Sequence, residues 1–187
     1  MLKVISALIL VAQVLFPTAP PGVDRTDAFA RASGNRKPVA VKIGQALFAT
    51  QWPAQVMNVY ADGIAGHDVA GLHISGVHFH RALTREQFID EIAGLVSRTF
   101  KVAPVEEVDV WASVPLGVGR GVVVAGDLAK PTFRVVFTLS ARREESADSL
   151  VRRMRQGSGV FWDQDWERKV FNSIAAPTGS NHVNSSI

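Results

Sequence analysis

At 187 residues the chain has the length of one ordinary domain, and with 47% hydrophobic residues it buries a core, which excludes global disorder. It has no cysteine, so disulfides, thiolate catalysis, iron–sulfur clusters and cysteine-bound zinc are excluded. The net charge of +3 is a small surplus, smaller than the four basic residues Arg31, Arg36, Lys37 and Lys42 of one acid-free stretch, so no nucleic-acid partner is expected.

The chain opens with an address. Met1 and Lys3 precede an apolar run, Val4–Phe16, broken only by Ser6 and Gln13 and closed by Pro17-Thr18-Ala19-Pro20-Pro21. A basic start, a short apolar stretch and a small-residue exit read as an export signal, and the run is shorter than the roughly 20 residues that span a bilayer. Pro20 after Ala19 is a poor cleavage point, so residues 1–19 are an export signal or an N-terminal anchor. The expected location is the periplasm or the extracytoplasmic face of a membrane. Residues 20–42 read as a linker, and the basic part, 31–42, is also a candidate contact for anionic headgroups, at about 1 kcal/mol per basic residue.

Residues 43–175 are expected to form one domain. Ile43–Thr50 is an apolar patch that periodicity assigns to neither helix nor strand. Val56–Ala61 and Val69–Ser75 read as two strands of a hairpin around a glycine-containing turn, with Gly76 as a candidate bulge. Thr84 and Gln87 form a capping box, and Phe88, Ile89, Ile92, Leu95, Val96 and Phe100 then recur at helical spacing. Val108, Val110, Ala112 and Val114 alternate with polar neighbours, as do Phe133, Val135, Phe137 and Leu139, predicting two half-buried strands.

Between these strands Gly117, Gly119 and Gly121 predict a loose turn and Val122–Ala125 a short apolar run. Ser146 and Gly157 bracket a short helix, Asp163 caps another, and the polar tail 176–187 is expected to be disordered. The sum is an α+β fold: a two-layer sandwich of a mostly antiparallel sheet, with one long amphipathic helix and short C-terminal helices on one face. The order of helix, Val108-Asp109-Val110, glycine-rich turn and Gly121–Gly126 over 84–126 resembles a BON domain, an envelope module. The resemblance stops there, because that pattern next supplies a helix where Phe133–Ser140 alternate as a strand.

Two constellations are candidates for function. Four of the five histidines, His67, His73, His78 and His80, fall within residues 67–80. In an extended strand His78 and His80 would point the same way, a pair suited to a divalent transition metal, with His73 or His67 completing the set. The alternative is an ordinary histidine-bearing strand rim, and no established ligand spacing such as H-E-x-x-H accompanies it. The second constellation is aromatic. Phe161, Trp162 and Trp166 follow a Gly157-Ser158-Gly159 hinge, and Trp111 falls on the polar phase of its strand, which exposes it unless another layer covers that face. These four are the candidate partner-binding residues, with packing of a terminal helix onto the domain as the competing explanation.

Asp163, Asp165 and Glu167 lack the rest of a calcium loop, and Gly117–Gly121 lacks the Lys-Ser/Thr of a phosphate loop. The sequence thus points to an exported, non-enzymatic domain that binds an envelope protein or a small ligand. A transition-metal protein using the His78/His80 pair and an enzyme of unrecognised type are the alternatives, and no other cofactor is implied.

Overall fold

The computed structural model describes residues 30–64, 66–116 and 133–171. The expected export segment, the glycine turn at 117–121, the run at 122–125 and the polar tail lie outside the described residues. The elements run β1 (Ala30–Ala32), α1 (Lys37–Phe48), β2 (Ala54–Ile64), β3 (His67–Phe79), α2 (Arg85–Val102), β4 (Glu107–Pro115), β5 (Phe133–Arg142), α3 (Ala147–Gln156), β6 (Val160–Trp162) and α4 (Gln164–Phe171). This is a mixed α/β chain with one six-stranded sheet, its strands in sequence order.

The sheet is mixed, which corrects the expectation of a mostly antiparallel one. β1–β2 and β3–β4 are parallel, whereas β2–β3, β4–β5 and β5–β6 are antiparallel. Parallel neighbours need a long crossover, and α1 and α2 supply the two crossovers.

Residues 30–42, expected as the second half of a linker, belong to the fold. Ala30 and Ala40 are buried, and β1 pairs with Val59–Ala61 of β2. α1 starts with a proline in its first turn, where the missing N–H costs nothing. Its buried residues Ala40, Ile43, Gly44 and Leu47 fall at i, i+3, i+4 and i+7, so the apolar patch at 43–50 is the second half of an amphipathic helix. Arg36 pairs with Asp68 at 2.9 Å and Lys37 Nζ donates to the Ala30 carbonyl at 3.1 Å, so two of the four basic residues in this stretch tie its backbone down.

α2 is the helix its capping box announces. Thr84 accepts from Gln87 N, and Gln87 Oε1 accepts from Thr84 N. The buried stripe of Phe88, Ile89, Ile92, Leu95 and Val96 packs on the sheet residues Leu72, Ile74, Val110 and Leu139 in one core. The far end of α2 is held by Arg143, whose guanidinium donates to the carbonyls of Phe100, Ala103 and Val105 at 3.1, 2.5 and 2.7 Å and lies over the Phe100 ring. Carbonyls with no partner inside the helix are thereby satisfied, at the end where a cation is favoured.

The chain closes as an aromatic cluster. Asp163 caps α4 through Trp166 N at 2.8 Å, and Trp166 Nε1 donates to the Gly76 carbonyl at 2.7 Å. Rings of Phe137, Trp162, Trp166 and Phe171 stand 5.3–5.8 Å from that of Phe88. Ring pairs at this range add to area burial, which explains how so short a helix stays docked.

Candidate functional site

Strand registers decide what shares a face. Val59, Leu72, Val110 and Leu139 lie in one line across β2–β5, all buried toward α1 and α2. One residue along, the line Asn58, His73, Trp111, Thr138 and Phe161 crosses β2–β6 on the other face. With strands about 4.8 Å apart, that row is about 19 Å long. Tyr60, Gly71, Asp109 and Ser140 form the next row of the same face.

Trp111 is the centre of this face. Its indole lies against Gly71, where an added Cβ would come within 2.9 Å of the ring, and no other residue type leaves that space. The His73 imidazole stacks on it at 5.5 Å between centroids and 14° between planes, and Tyr60 leans on its other flank at 5.2 Å. Phe133 stands edge-on to His73 at 6.4 Å. Beyond these rings, Phe133, Val135 and Phe161 are 43%, 41% and 50% exposed. Polar groups rim them: Ser140 Oγ donates to Asp109 Oδ1 at 2.5 Å, and Thr138 stands between Trp111 and Phe161.

His73 ties the face together. Its Nε2 is 2.6 Å from Ser113 Oγ, and its Nδ1 is 3.4 Å from Asn58 Nδ2. With Asn58 donating, Nδ1 accepts and Nε2–H donates to Ser113, which fixes the tautomer. Burial holds the imidazole pKa below its ordinary value, so the ring is neutral near pH 7. A serine and a histidine at this distance have nucleophile–base geometry. Ser113, however, is only 3% exposed, so its hydroxyl works as a brace for the imidazole and is not open to a substrate carbonyl.

The four histidines are spread out. His67 and His78 stand near opposite ends of β3, eleven positions apart and so roughly 35 Å along an extended strand. His67 Nδ1 is 2.7 Å from Glu106 Oε2, and His73 belongs to the Trp111 row. Val56 faces Ile74 and Ala54 faces Phe79, so on the β2 side residues 75–78 are opposed only by Gln55. Ser75 Oγ accepts from both Val77 N and His78 N at 3.2 and 2.9 Å, which breaks the strict alternation on which the side-by-side reading of His78 and His80 rests. Both are exposed, and His80 lies beyond the end of the strand. Among the described residues no three His, Asp or Glu side chains gather closely enough to hold a metal ion.

The aromatic candidates divide by face. Trp111 and Phe161 share the open row, whereas Trp162 and Trp166 lie in the cluster around Phe88. Trp162 carries the one buried polar side-chain atom among the described residues that has no hydrogen-bond partner, its Nε1, while Arg85 covers its ring at 4.8 Å. Asn58, Tyr60, Ser113 and Phe133 were absent from the sequence candidates. The polar phase of β4, with Trp111 and Ser113 two apart, is the one signal that pointed to them. No protein-family model, curated protein or solved structure matches this chain, the BON-like stretch 84–126 included.

Proposed function

We propose that this chain is an exported, non-enzymatic binding domain on the periplasmic or outer side of a membrane. It is a two-layer α+β module with helices on one side of its sheet, and its open sheet face docks a protein of the cell envelope. The observation that carries the reading is the row Asn58–His73–Trp111–Thr138–Phe161, a tryptophan held over Gly71 in the middle of a face that no helix among the described residues covers. Protein interfaces combine an aromatic centre with an apolar surround and a polar rim. Here Trp111 and Tyr60 form the centre, Phe133, Val135 and Phe161 the apolar surround, and Asp109, Thr138 and Ser140 the rim. The apolar N-terminal run with its proline exit supports export, and a chain free of cysteine suits an envelope domain held by packing alone.

A photo-crosslinking residue placed at Phe161 of the full chain, expressed in cells, tests the docking face. The expected result is one discrete protein adduct in the envelope fraction, lost in Trp111→Ala and not formed from the same crosslinker at Phe48 on α1. Adducts that are absent, or identical from Phe48, or indifferent to Trp111→Ala, overturn the reading. Fractionation tests the location, and a wholly cytoplasmic chain refutes export.

A further inference from the structure

The Trp111 face is arranged about a midline. The six strands lie in sequence order, so the middle of the sheet falls between β3 and β4, with β2 and β5 each about 7 Å to one side of it. His73 and Trp111 flank that midline as register partners and stack on each other. Toward the β2–β3 turn a further row, Asp62, Val69, Glu107 and Arg142, crosses the same face. It sets an acid on β2 and a base on β5 at equal distances from the midline. Asp62 accepts from Ser33 Oγ and the Gly63 N–H, bonds that leave its charge in place. Arg36, whose charge also reaches Asp62, is engaged by Asp68 at 2.9 Å. The Arg142 side chain makes no hydrogen bond or ion pair among the described residues.

This face lacks a cover that its strands normally have. Parallel pairs such as β3–β4 occur mostly in sheets with a layer on both sides. Here α1 and α2 cover one side, no helix among the described residues covers the other, and Phe133, Val135 and Phe161 stand exposed there. Five strand spacings by the nine residues of β4 give a face of about 24 by 26 Å in projection, or about 600 Å². Two such faces together remove about 1,200 Å², the lower end of what specific protein interfaces bury.

We infer that the missing layer is a second copy of this chain, related by a two-fold axis along the midline between β3 and β4. Rotation about that axis keeps the direction of every strand, as aligned sheet-on-sheet packing requires. It lays β4 over β3 and β5 over β2 of the other copy. Trp111 then meets His73, Tyr60 meets Ser140 and Asp62 meets Arg142, each contact made twice, which is the self-complementarity of a two-fold interface. Opposite charges at equal distances on either side of one line match a copy of the same surface. The assignment rests on the reading of this face as a docking surface and names its occupant.

Sedimentation equilibrium of the full chain at micromolar concentration tests it. A species of twice the 20.2 kDa chain is expected. Arg142→Asp and Asp62→Arg each set like charges together at both contacts, and each should weaken dimerisation by about tenfold or more, a loss of about 1.4 kcal/mol. An equimolar mixture of the two variants sets opposite charges together at both contacts and should pair about as tightly as the parent. Trp111→Ala should also weaken dimerisation by at least about tenfold, because an aromatic at the centre of an interface carries much of the binding. Thermal melting of each variant confirms that it is folded. A monomeric parent, a dimer indifferent to either charge substitution, or folded variants that fail to pair in the mixture overturns the inference. A monomer that still gives a Trp111-dependent adduct with another protein from Phe161 refutes the second copy and leaves the docking face standing. No adduct of any kind refutes the face itself.

Discussion

Gly71 is the position at which the architecture of the open face can be tested most directly. A methyl there would lie 2.9 and 3.0 Å from two indole carbons of Trp111 and 3.2 Å from Tyr60 Cβ. Ordinary carbon contacts are about 3.5–4.0 Å, so the indole must retreat by about 0.5–1 Å. In a closed core such overpacking costs about 1–3 kcal/mol. Trp111 is only half-buried, so its ring can swing outward, and the cost falls to the low end of that range. In the other direction, replacing a glycine inside a strand restrains the unfolded chain and stabilises by about 0.5–1 kcal/mol. Gly71→Ala should therefore change stability by less than about 1 kcal/mol in urea denaturation while moving Trp111 off His73. The indole now stacks 14° from parallel on that imidazole, so the ring-current shift of the His73 protons in NMR reports the displacement. Crosslinking from Phe161 should fall with it. Native His73 shifts in a folded Gly71→Ala chain would refute the placement of Trp111. A loss of about 3 kcal/mol or more would show that the face is closed like a core and unable to yield.

Two titrating groups make opposite predictions about pH. Burial raises the Glu91 carboxyl from its ordinary value of 4.5 to about 7, with the Ala54 N–H, 3.2 Å away, and Arg81 acting against the rise. The unfolded chain loses this proton near 4.5 and the folded chain near 7, so stability is full below 4.5 and declines as pH rises across that window. Glu91 is half exposed, and solvent screening reduces the nominal shift to about 1–2 kcal/mol. Glu91→Gln should stabilise the chain by about 1 kcal/mol at pH 8 and change little at pH 4, and an equal effect at both would refute the assignment. His73 has the opposite sign. Burial depresses its pKa, so its contribution is present above its ordinary value of 6.5 and is lost as pH falls through the lower folded value. An NMR midpoint for His73 at or above 6.5 would contradict its burial against Ser113.

The elements that could be read from sequence are those whose local signals agreed. α2 has a reciprocal cap and an unbroken stripe and emerges where the pattern puts it, whereas the alternation from Phe133 places β5 but not its face, because the register shift at Ala112/Ser113 buries Val136 and Phe137 together and leaves Phe133 and Val135 exposed. α1 was hidden because half its stripe lies in a basic stretch and because Gly44, poor in helices, occupies a buried position. Strand direction was hidden for a different reason. Parallel strands are usually covered on both faces and read as continuous apolar runs. Here β3 and β4 are parallel yet carry His73, Asp109, Trp111 and Ser113 on a face that no helix among the described residues covers, so their alternation resembles that of an antiparallel sheet. The same fact concealed most of the site. Trp111 was legible as a large ring on a polar phase, but its meeting with His73 depends on a register between residues 38 positions apart that no local pattern encodes.

β5 serves both sides of the sheet. Thr138 and Ser140 point to the Trp111 face, Leu139 and Ala141 to the helices, and the chain then turns so that Arg143 secures the end of α2. Alternation along one strand thus assigns the aromatic row and the helix-packed core to opposite sides of the sheet. Substitutions at sites well separated and without shared partners act nearly independently. Trp111 and Arg143 touch no common residue through any ring contact or hydrogen bond among the described residues. A double Trp111→Ala, Arg143→Ala chain should therefore lose stability in urea denaturation by the sum of the two single losses. A marked departure from additivity would mean that β5 transmits strain from one face to the other.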